Sequence, residues 1–315
     1  MKRTCGIGGQ AVLEGIMMKN KEKYAVAVRK PDKEIELMVD EYKSLSDGKK
    51  ILSLPFIRGI FNFVDSMILG IKTLMYSSQF YEEEEETEKK SGSKAEDIIM
   101  GLTVLFSVIF SVALFIVLPY FISEFLKNSL HISSNTVLSV VEGIVRIAIF
   151  VLYIALISMM KDIKRTYMYH GAEHKCINCI EDGRELNVEN VRISSRLHRR
   201  CGTSFLFLVM FVSIAAFILV SALLPQSTGK LVKVVVRLLL VPMIAGISYE
   251  VLRLAGKNDS LIIRIISAPG IALQKLTTKE PDDSMIEVAI QAVEAVFDWK
   301  EYRKEIGMES ENQQI

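Results

Sequence analysis

The sequence contains few cysteines, and its positive and negative charges almost cancel. Four cysteines in 315 residues are too few for a disulfide framework. The formal net charge of +1 supplies no broad basic field, so we expect no nucleic-acid partner. Residues 1–6 place no apolar stretch behind their basic residues, and this segment is therefore not expected to be a cleavable signal peptide.

Long uncharged stretches are abundant, and half of the residues (50%) are hydrophobic. Residues 98–123 and 202–229 contain no charged side chain, and each stretch is long enough to span a hydrocarbon core of roughly 30 Å. Two more candidate spans carry charges near their ends: Glu142 and Arg146 in 136–160, and Lys233, Arg237 and Glu250 in 231–252. The alternative is that one of these two is a buried helix of a soluble domain. The sequence predicts about four membrane spans and a mainly α fold.

The distribution of basic residues predicts the orientation of these spans. Residues 161–200 contain nine Lys or Arg, whereas the loops on the opposite side offer little more than Lys127 and Lys230. Positively charged loops remain in the cytoplasm, so we expect the loop 161–203 and both termini there. Cytoplasmic thiols stay reduced, and metal binding is then the better interpretation of cysteines in this loop.

Composition divides the chain into four predicted parts. These are a small α+β cytoplasmic unit (1–80), an acidic linker (81–96), a four-span membrane domain (97–252) and a cytoplasmic C-terminal segment (253–315). In the first part, residues 24–29 and 35–39 flank a Pro-Asp turn and predict a hairpin. Residues 55–76 predict a helix that lies in the membrane interface or packs on the N-terminal unit.

The C-terminal segment predicts shorter helices. Residues 261–276 are apolar but are interrupted at Pro269, which predicts two short interfacial or re-entrant helices. Ser284 and Glu287 have the spacing of a capping box at the start of a last helix. The apolar stripe of this helix is expected to pack on the N-terminal unit.

The candidate chemistry is concentrated between residues 169 and 201, which contain three of the four histidines and three of the four cysteines. His170 and His174 are four residues apart, so a helix places both imidazoles on one face, as a metal ion requires. With Glu173 they form the pattern H-x-x-E-H, in which the glutamate acts as a base on a metal-bound water. Candidates for a third ligand are Glu250, His198 and Cys201.

A second geometry uses the same loop. Cys176-x-x-Cys179 and His198-x-x-Cys201 have the spacing of a structural zinc ribbon. The two geometries conflict locally. If the helix that carries His170 and His174 continued past Lys175, Cys176 and Cys179 would point away from the histidines.

Several motifs together resemble the YqhQ-like family of bacterial membrane proteins. They are GGQAVLEGIMM (8–18), YHGAEH (169–174), RCGTS (200–204), GISYE (246–250) and PGIALQKLTT (269–278). The resemblance, which runs from about residue 5 to about residue 300, implies a protein of the bacterial inner membrane and a predicted metal-dependent enzyme. It also implies a functional cluster of His170, Glu173, His174, His198, Cys201 and Glu250.

Two functions are compatible with these features. The first is a zinc-dependent hydrolase at the membrane surface, with Glu173 as the catalytic residue and the lipid bilayer as its surroundings. The second is a membrane protein without enzymatic activity that binds, protects or assembles other membrane proteins and contains a structural zinc site. An open coordination position would favour the enzyme, and four protein ligands would favour the structural role.

Overall fold

The structure is a computed structural model that describes residues 4–49, 51–81, 94–129, 131, 134–225, 228–257 and 261–307. The acidic run 82–86 lies outside the described residues. The described elements are mainly helical, with one four-stranded antiparallel sheet near the N-terminus.

The sheet has the strand order β1-β2-β3-β4. Its strands are β1 Gly8–Val12, β2 Gly15–Asn20, β3 Lys23–Arg29 and β4 Ile35–Glu41. The predicted hairpin is confirmed, because β3 pairs with β4 in a register that joins Arg29 to Ile35. The sequence did not predict the other two strands, β1 and β2, which are formed by residues 8–20. Close approach requires glycine at position 15, where a Cβ atom would lie 2.3 Å from the carbonyl oxygen of Ala27.

Both faces of the two central strands, β2 and β3, are buried, and the alternation of side chains along β3 explains how. Ala25 and Ala27 point into one hydrophobic core, whereas Tyr24, Val26 and Val28 point into another. Helices α5 (Lys161–Glu181) and α10 (Asp283–Glu294) cover the first face, and α1 (Ile57–Ser78) covers the second. Helix α1 also packs against α8 (Lys230–Lys257), so it contacts both the sheet and the membrane bundle.

Four helical stretches are long and apolar enough to span a membrane. They are Gly101–Ser129, Val137–Ile157, Phe205–Leu223 and Leu231–Leu254. The first combines α2 (Lys94–Val112), a π-helical segment (Ala113–Val117) and α3 (Leu118–Ser129); the others lie in α4 (Asn135–Ile157), α7 (Gly202–Leu223) and α8. These helices identify a multi-pass membrane protein.

A buried ionic network connects three of the spans. Glu142 accepts hydrogen bonds from Arg146 of the same helix at 2.8 Å and from Arg237 of α8 at 2.6 Å. Arg146 also donates to the hydroxyl of Ser213 in α7 at 3.1 Å. Charged side chains inside the membrane are tolerated when they pair in this way. The charged residues of α4 and α8 therefore do not argue against a membrane location of these two helices.

Two predictions about the C-terminal segment are wrong. Helix α9 (Leu261–Thr277) passes through Pro269 without a break. Proline removes one backbone donor, and packing of α9 against α7 keeps the helix continuous. Helix α10 has Asp282 as its N-cap, whose side chain accepts from the backbone of Met285, and Glu287 instead pairs with Arg29. The stripe prediction is confirmed, because Ile286 and Val293 lie in the core beside the sheet.

Candidate metal centre

Helix α5 presents His170, Glu173 and His174 on one face, because residues three and four apart lie above one another on a helix. The helix continues past Lys175 to Glu181. Lys175 is the point at which the two geometries predicted from the sequence conflict. The chain that follows α9 crosses α5 at Gly171. A Cβ atom on Gly171 would lie 2.0 Å from the carbonyl oxygen of Lys279. Only glycine allows this crossing, which brings the end of α9 next to His170.

Backbone carbonyl groups determine the tautomers of both histidines. His170 Nδ1 lies 2.9 Å from the carbonyl oxygen of Thr277, and His174 Nδ1 lies 2.7 Å from that of Arg196. A carbonyl oxygen can only accept, so each Nδ1 carries the proton and donates it. Each Nε2 is then left with its lone pair in the neutral ring, which is the state that binds a metal ion. Burial lowers the pKa of His174 and so favours its neutral form.

Cys201 completes a group of three potential ligands. Its Sγ lies 3.2 Å from His170 Nε2, and the ligand atoms of His170, His174 and Cys201 all lie within 4.8 Å of one another. Among the described residues, this is the only group of three or more His, Cys, Asp or Glu side chains with ligand atoms so close together. Two imidazoles with one thiolate are a typical zinc donor set. The chemistry of these three donors therefore fits a zinc ion.

The segment that carries Cys201 is held against α9 by one buried amide. Gln274 accepts from the backbone nitrogen of His198 at 2.8 Å and donates to the carbonyl oxygen of the same residue at 2.6 Å. This pair of hydrogen bonds positions residues 196–201 over α5. Helix α9 thus orients one ligand through Thr277 and the segment of another through Gln274.

Glu173 is buried next to the histidines and is only partly satisfied. The backbone N–H of Gly9 donates a hydrogen bond to its carboxylate, while its buried Oε2 has no hydrogen-bond partner among the described residues. Burial raises the pKa of Glu173, although His170 and the N–H of Gly9 partly oppose this. Strand β1 approaches so closely that a Cβ atom at Gly9 would lie 3.1 Å from the carboxyl carbon. A buried oxygen without a partner is a site at which a water or substrate group can bind.

His198 lies near the group, but its side chain contacts Glu181. The ring of His198 is 5.7 Å from that of His174 between centroids, and its Nε2 is 3.5 Å from Glu181 Oε2. Glu181 also accepts from Arg200 and from the backbone nitrogen of Cys5. Burial alone would raise the pKa of Glu181, but His198 and Arg200 together hold it below its usual range.

Glu250 lies at the end of α8, where it is bound to α1. Both oxygens of its carboxylate accept from Arg58, at 2.7 Å and 2.5 Å, and the backbone nitrogen of Phe56 donates at 3.3 Å. This carboxylate does not belong to the His-Cys group described above. Its observed contacts are those of a link between α1 and the membrane bundle.

Cys176 and Cys179 point into the hydrophobic core between α5 and the sheet. Cys179 donates a weak hydrogen bond to the carbonyl oxygen of Glu185 at 3.4 Å. Burial raises the pKa of Cys179 to about 11 and that of Cys176 well above its ordinary value. Neither thiol forms a ligand group with His198 and Cys201 among the described residues, so the four-ligand ribbon is not formed.

Sequence patterns did not predict the residues that orient the ligands. Thr277 and Arg196 act through backbone carbonyls, which leave no side-chain pattern. Gln274 and Gly9 do lie within the family motifs PGIALQKLTT and GGQAVLEGIMM, which was the available signal. Glu14, which lies in the motif GGQAVLEGIMM, pairs with Arg165 and accepts from Tyr169 at 3.3 Å, and it is not part of the His-Cys group.

The comparisons with known proteins agree with this resemblance. The family described as "Protein of unknown function (DUF1385)" matches residues 54–299. The chain is 37% identical over 293 residues to "Uncharacterized protein YqhQ" of Bacillus subtilis (strain 168), and the match covers 90% of each chain. No solved structure matches the chain. The family match includes helix α5, which carries His170 and His174, and also Cys201, and the chain belongs to the DUF1385 family.

Proposed function

We propose that the protein is a metal-dependent hydrolase that acts at the membrane surface. His170, His174 and Cys201 would hold the metal, and Glu173 would be the catalytic base. The observation that carries this proposal is the pair of backbone carbonyls, on Thr277 and Arg196, that direct both Nε2 lone pairs toward Cys201. Zinc is the ion that this donor set favours.

Three protein ligands leave one position of a tetrahedral ion for water or substrate. When bound, the metal would lower the pKa of a coordinated water and polarise the substrate. Glu173 has one hydrogen bond from Gly9 and an oxygen without a partner among the described residues, so its carboxylate could take up a proton from a water beside it and return that proton to a leaving group. The backbone N–H of Gly9 positions the carboxylate for this role.

The location of the site supports a reaction beside the bilayer. Cys201 lies four residues before the span that begins at Phe205. By the charge of the loop 161–200, we place this site and both termini in the cytoplasm. By the similarity to a bacterial relative, we place the spans in the bacterial inner membrane. The bilayer is then the immediate partner of the protein.

One observation favours the structural alternative. His174 is 1% exposed, and its ligand partner Cys201 is separated from it by 27 positions and immediately precedes α7. A metal ion here would tie α5 to α7 even without catalysis. In that case the protein would bind, protect or assemble other membrane proteins, and Glu173 would only support the packing of β1.

Glu173→Gln separates the two functions. The substitution preserves size and the hydrogen bond from Gly9 but removes the ability to accept a proton. We expect a protein that is abundant and metal-loaded but fails to restore the phenotype of a deletion strain. Glu22→Gln, an exposed glutamate on the turn between β2 and β3, is the matched control and should retain function. A Glu173→Gln protein with normal abundance, metal content and complementation would refute the hydrolase and favour the structural role.

A further inference from the structure

A large cavity lies between the sheet and the membrane bundle. Its volume is about 740 Å³, within the range of pockets that bind small molecules. Residues of β1, β2 and α1 form one side, and the ends of α7 and α8 form the other.

The side formed by α7 and α8 is apolar and lies at the level where the spans meet water. Phe205 and Leu206 are the first residues of the third span, and Leu252 lies in the last turn of the fourth. Phe63 of α1 joins them, with its ring centroid 5.9 Å from that of Phe205. Phe63 and Leu206 are 40% and 42% exposed, so this end of the cavity is not closed off. An apolar chain from the bilayer can therefore reach it.

The side formed by the sheet is polar and contains two lysines, Lys19 and Lys21. Among the described residues, neither ammonium group takes part in an ion pair within 4.0 Å; Lys19 Nζ lies 4.8 Å from the centre of the Tyr42 ring. The carboxylate of Asp65 also lines the cavity, but it accepts from Tyr42, Ser44 and the backbone of Leu45. The lining thus carries two positive charges and one negative charge, an excess of one positive charge.

We propose that this cavity binds a membrane lipid with a phosphate head group, in which Lys19 and Lys21 contact the phosphate and Phe63, Phe205 and Leu206 contact the acyl or prenyl chain. A ligand with these two parts matches the two sides of the cavity. Charge-assisted hydrogen bonds from lysine favour phosphate over neutral head groups. Burial lowers the pKa of Lys19, and a phosphate beside it would offset that cost.

The cavity is adjacent to the candidate metal centre. Gly9, which donates to Glu173, and Gly202, which follows Cys201, both line it. A lipid bound there would contact Gly9 and Gly202, the neighbours of Glu173 and Cys201, and would extend its chain toward the membrane. A phosphate-bearing lipid is then the substrate class of the proposed hydrolase. Its hydrolysis rests on the proposed function, whereas its binding to the cavity does not.

The test is binding of defined lipids to the full-length protein in detergent, measured by native mass spectrometry. The probes are phosphatidic acid, diacylglycerol with the same chains, and inorganic phosphate. We expect phosphatidic acid to bind at least roughly tenfold more tightly than diacylglycerol, the factor for a charge-assisted contact. Equal binding of the two lipids would overturn the proposal. Binding of inorganic phosphate as tight as that of phosphatidic acid would also overturn it, in favour of a soluble phosphate ligand.

Variants locate the binding in this cavity. The double variant Lys19→Gln/Lys21→Gln should reduce the preference for phosphatidic acid at least roughly tenfold, whereas Lys23→Gln, an exposed lysine outside the lining, should not. Gly8→Phe fills the cavity from a position where a Cβ atom meets nothing within 4 Å, and it should weaken both lipids. Gly101→Phe, on the exposed side of the first span, is its control.

The result is independent of catalysis. Unchanged lipid binding in all cavity variants would refute the lipid site and leave the hydrolase proposal intact. Selective binding in a Glu173→Gln protein that also complements fully would support the lipid site and refute the hydrolase.

Discussion

The Nε2 atom of His170 lies 3.2 Å from the Sγ atom of Cys201, although the two residues are 31 positions apart. The contact joins the middle of α5 to the start of α7, immediately before the third membrane span. The carbonyl of Thr277 selects the neutral tautomer in which this Nε2 accepts a hydrogen bond from the Cys201 thiol. A bound metal ion would take the place of the thiol hydrogen between the same two atoms.

Replacing a ligand should remove the metal. Protein purified in detergent without a chelator should carry about one zinc or similar ion per chain, and His170→Ala, His174→Ala or Cys201→Ser should weaken binding by more than the roughly 10–100-fold that loss of an outer partner costs. Elemental analysis by mass spectrometry measures the content.

The fourth histidine is the control for this experiment. His131 lies in the connection between α3 and α4 and is exposed, so His131→Ala should leave metal content unchanged. Full occupancy in a His170→Ala/His174→Ala protein would exclude these residues as ligands.

Gly171→Ala should distort the centre by steric overlap. The new methyl group would lie 2.0 Å from the carbonyl oxygen of Lys279, so the chain that carries Thr277 must move away from His170. We expect destabilisation of at least about 1–3 kcal/mol together with loss of metal, measured as thermal unfolding and metal content.

Gly101→Ala provides the opposite expectation, because its Cβ atom meets nothing within 4 Å. Alanine is favoured over glycine inside a helix by about 1 kcal/mol, so this variant should be neutral or slightly stabilised. Equal behaviour of the two variants would show that the crossing at Gly171 is not tight.

The sequence predicted those parts of the structure that depend on periodicity and length. The four spans, the hairpin of β3 and β4 and the stripe of α10 follow from local patterns of apolar residues. Helix α9 was predicted to break at Pro269, because proline disfavours a helix locally. The helix is continuous because it packs on α7, and this tertiary contact cannot be inferred from local sequence. The N-cap of α10 was assigned to Ser284 but is Asp282. Aspartate and serine are both good N-cap residues, so local spacing does not choose between them.

The candidate site was predicted only in part for a similar reason. The helical spacing of His170 and His174 is visible in the sequence, but the choice among Cys201, His198 and Glu250 depends on which chain segments meet in space. The structure brings Cys201 to the histidines, directs His198 toward Glu181 and pairs Glu250 with Arg58. No spacing rule contains that information.

Cysteine labelling tests the orientation of the membrane domain. Lys161→Cys, at the start of α5, should react only with reagents that reach the cytoplasm, and Ser129→Cys, at the end of α3, should react from outside. The native thiols give a low background because all four are buried, and burial raises the pKa of Cys5 to about 12 and that of Cys179 to about 11. At pH 8 these two thiols are protonated, and their reactive thiolate forms only as the pH approaches those values. The reverse labelling pattern would place the centre outside the cell.

X-ray absorption spectroscopy of the metal-loaded protein tests the central claim most directly. We predict one sulfur ligand at about 2.3 Å and three nitrogen or oxygen ligands at about 2.0–2.1 Å, two of them with the scattering pattern of imidazole. Cys201→Ser should remove the sulfur signal, while Cys176→Ser should not change it. A shell with two or more sulfur atoms, or one without sulfur, would contradict a centre built from His170, His174 and Cys201 with one open position.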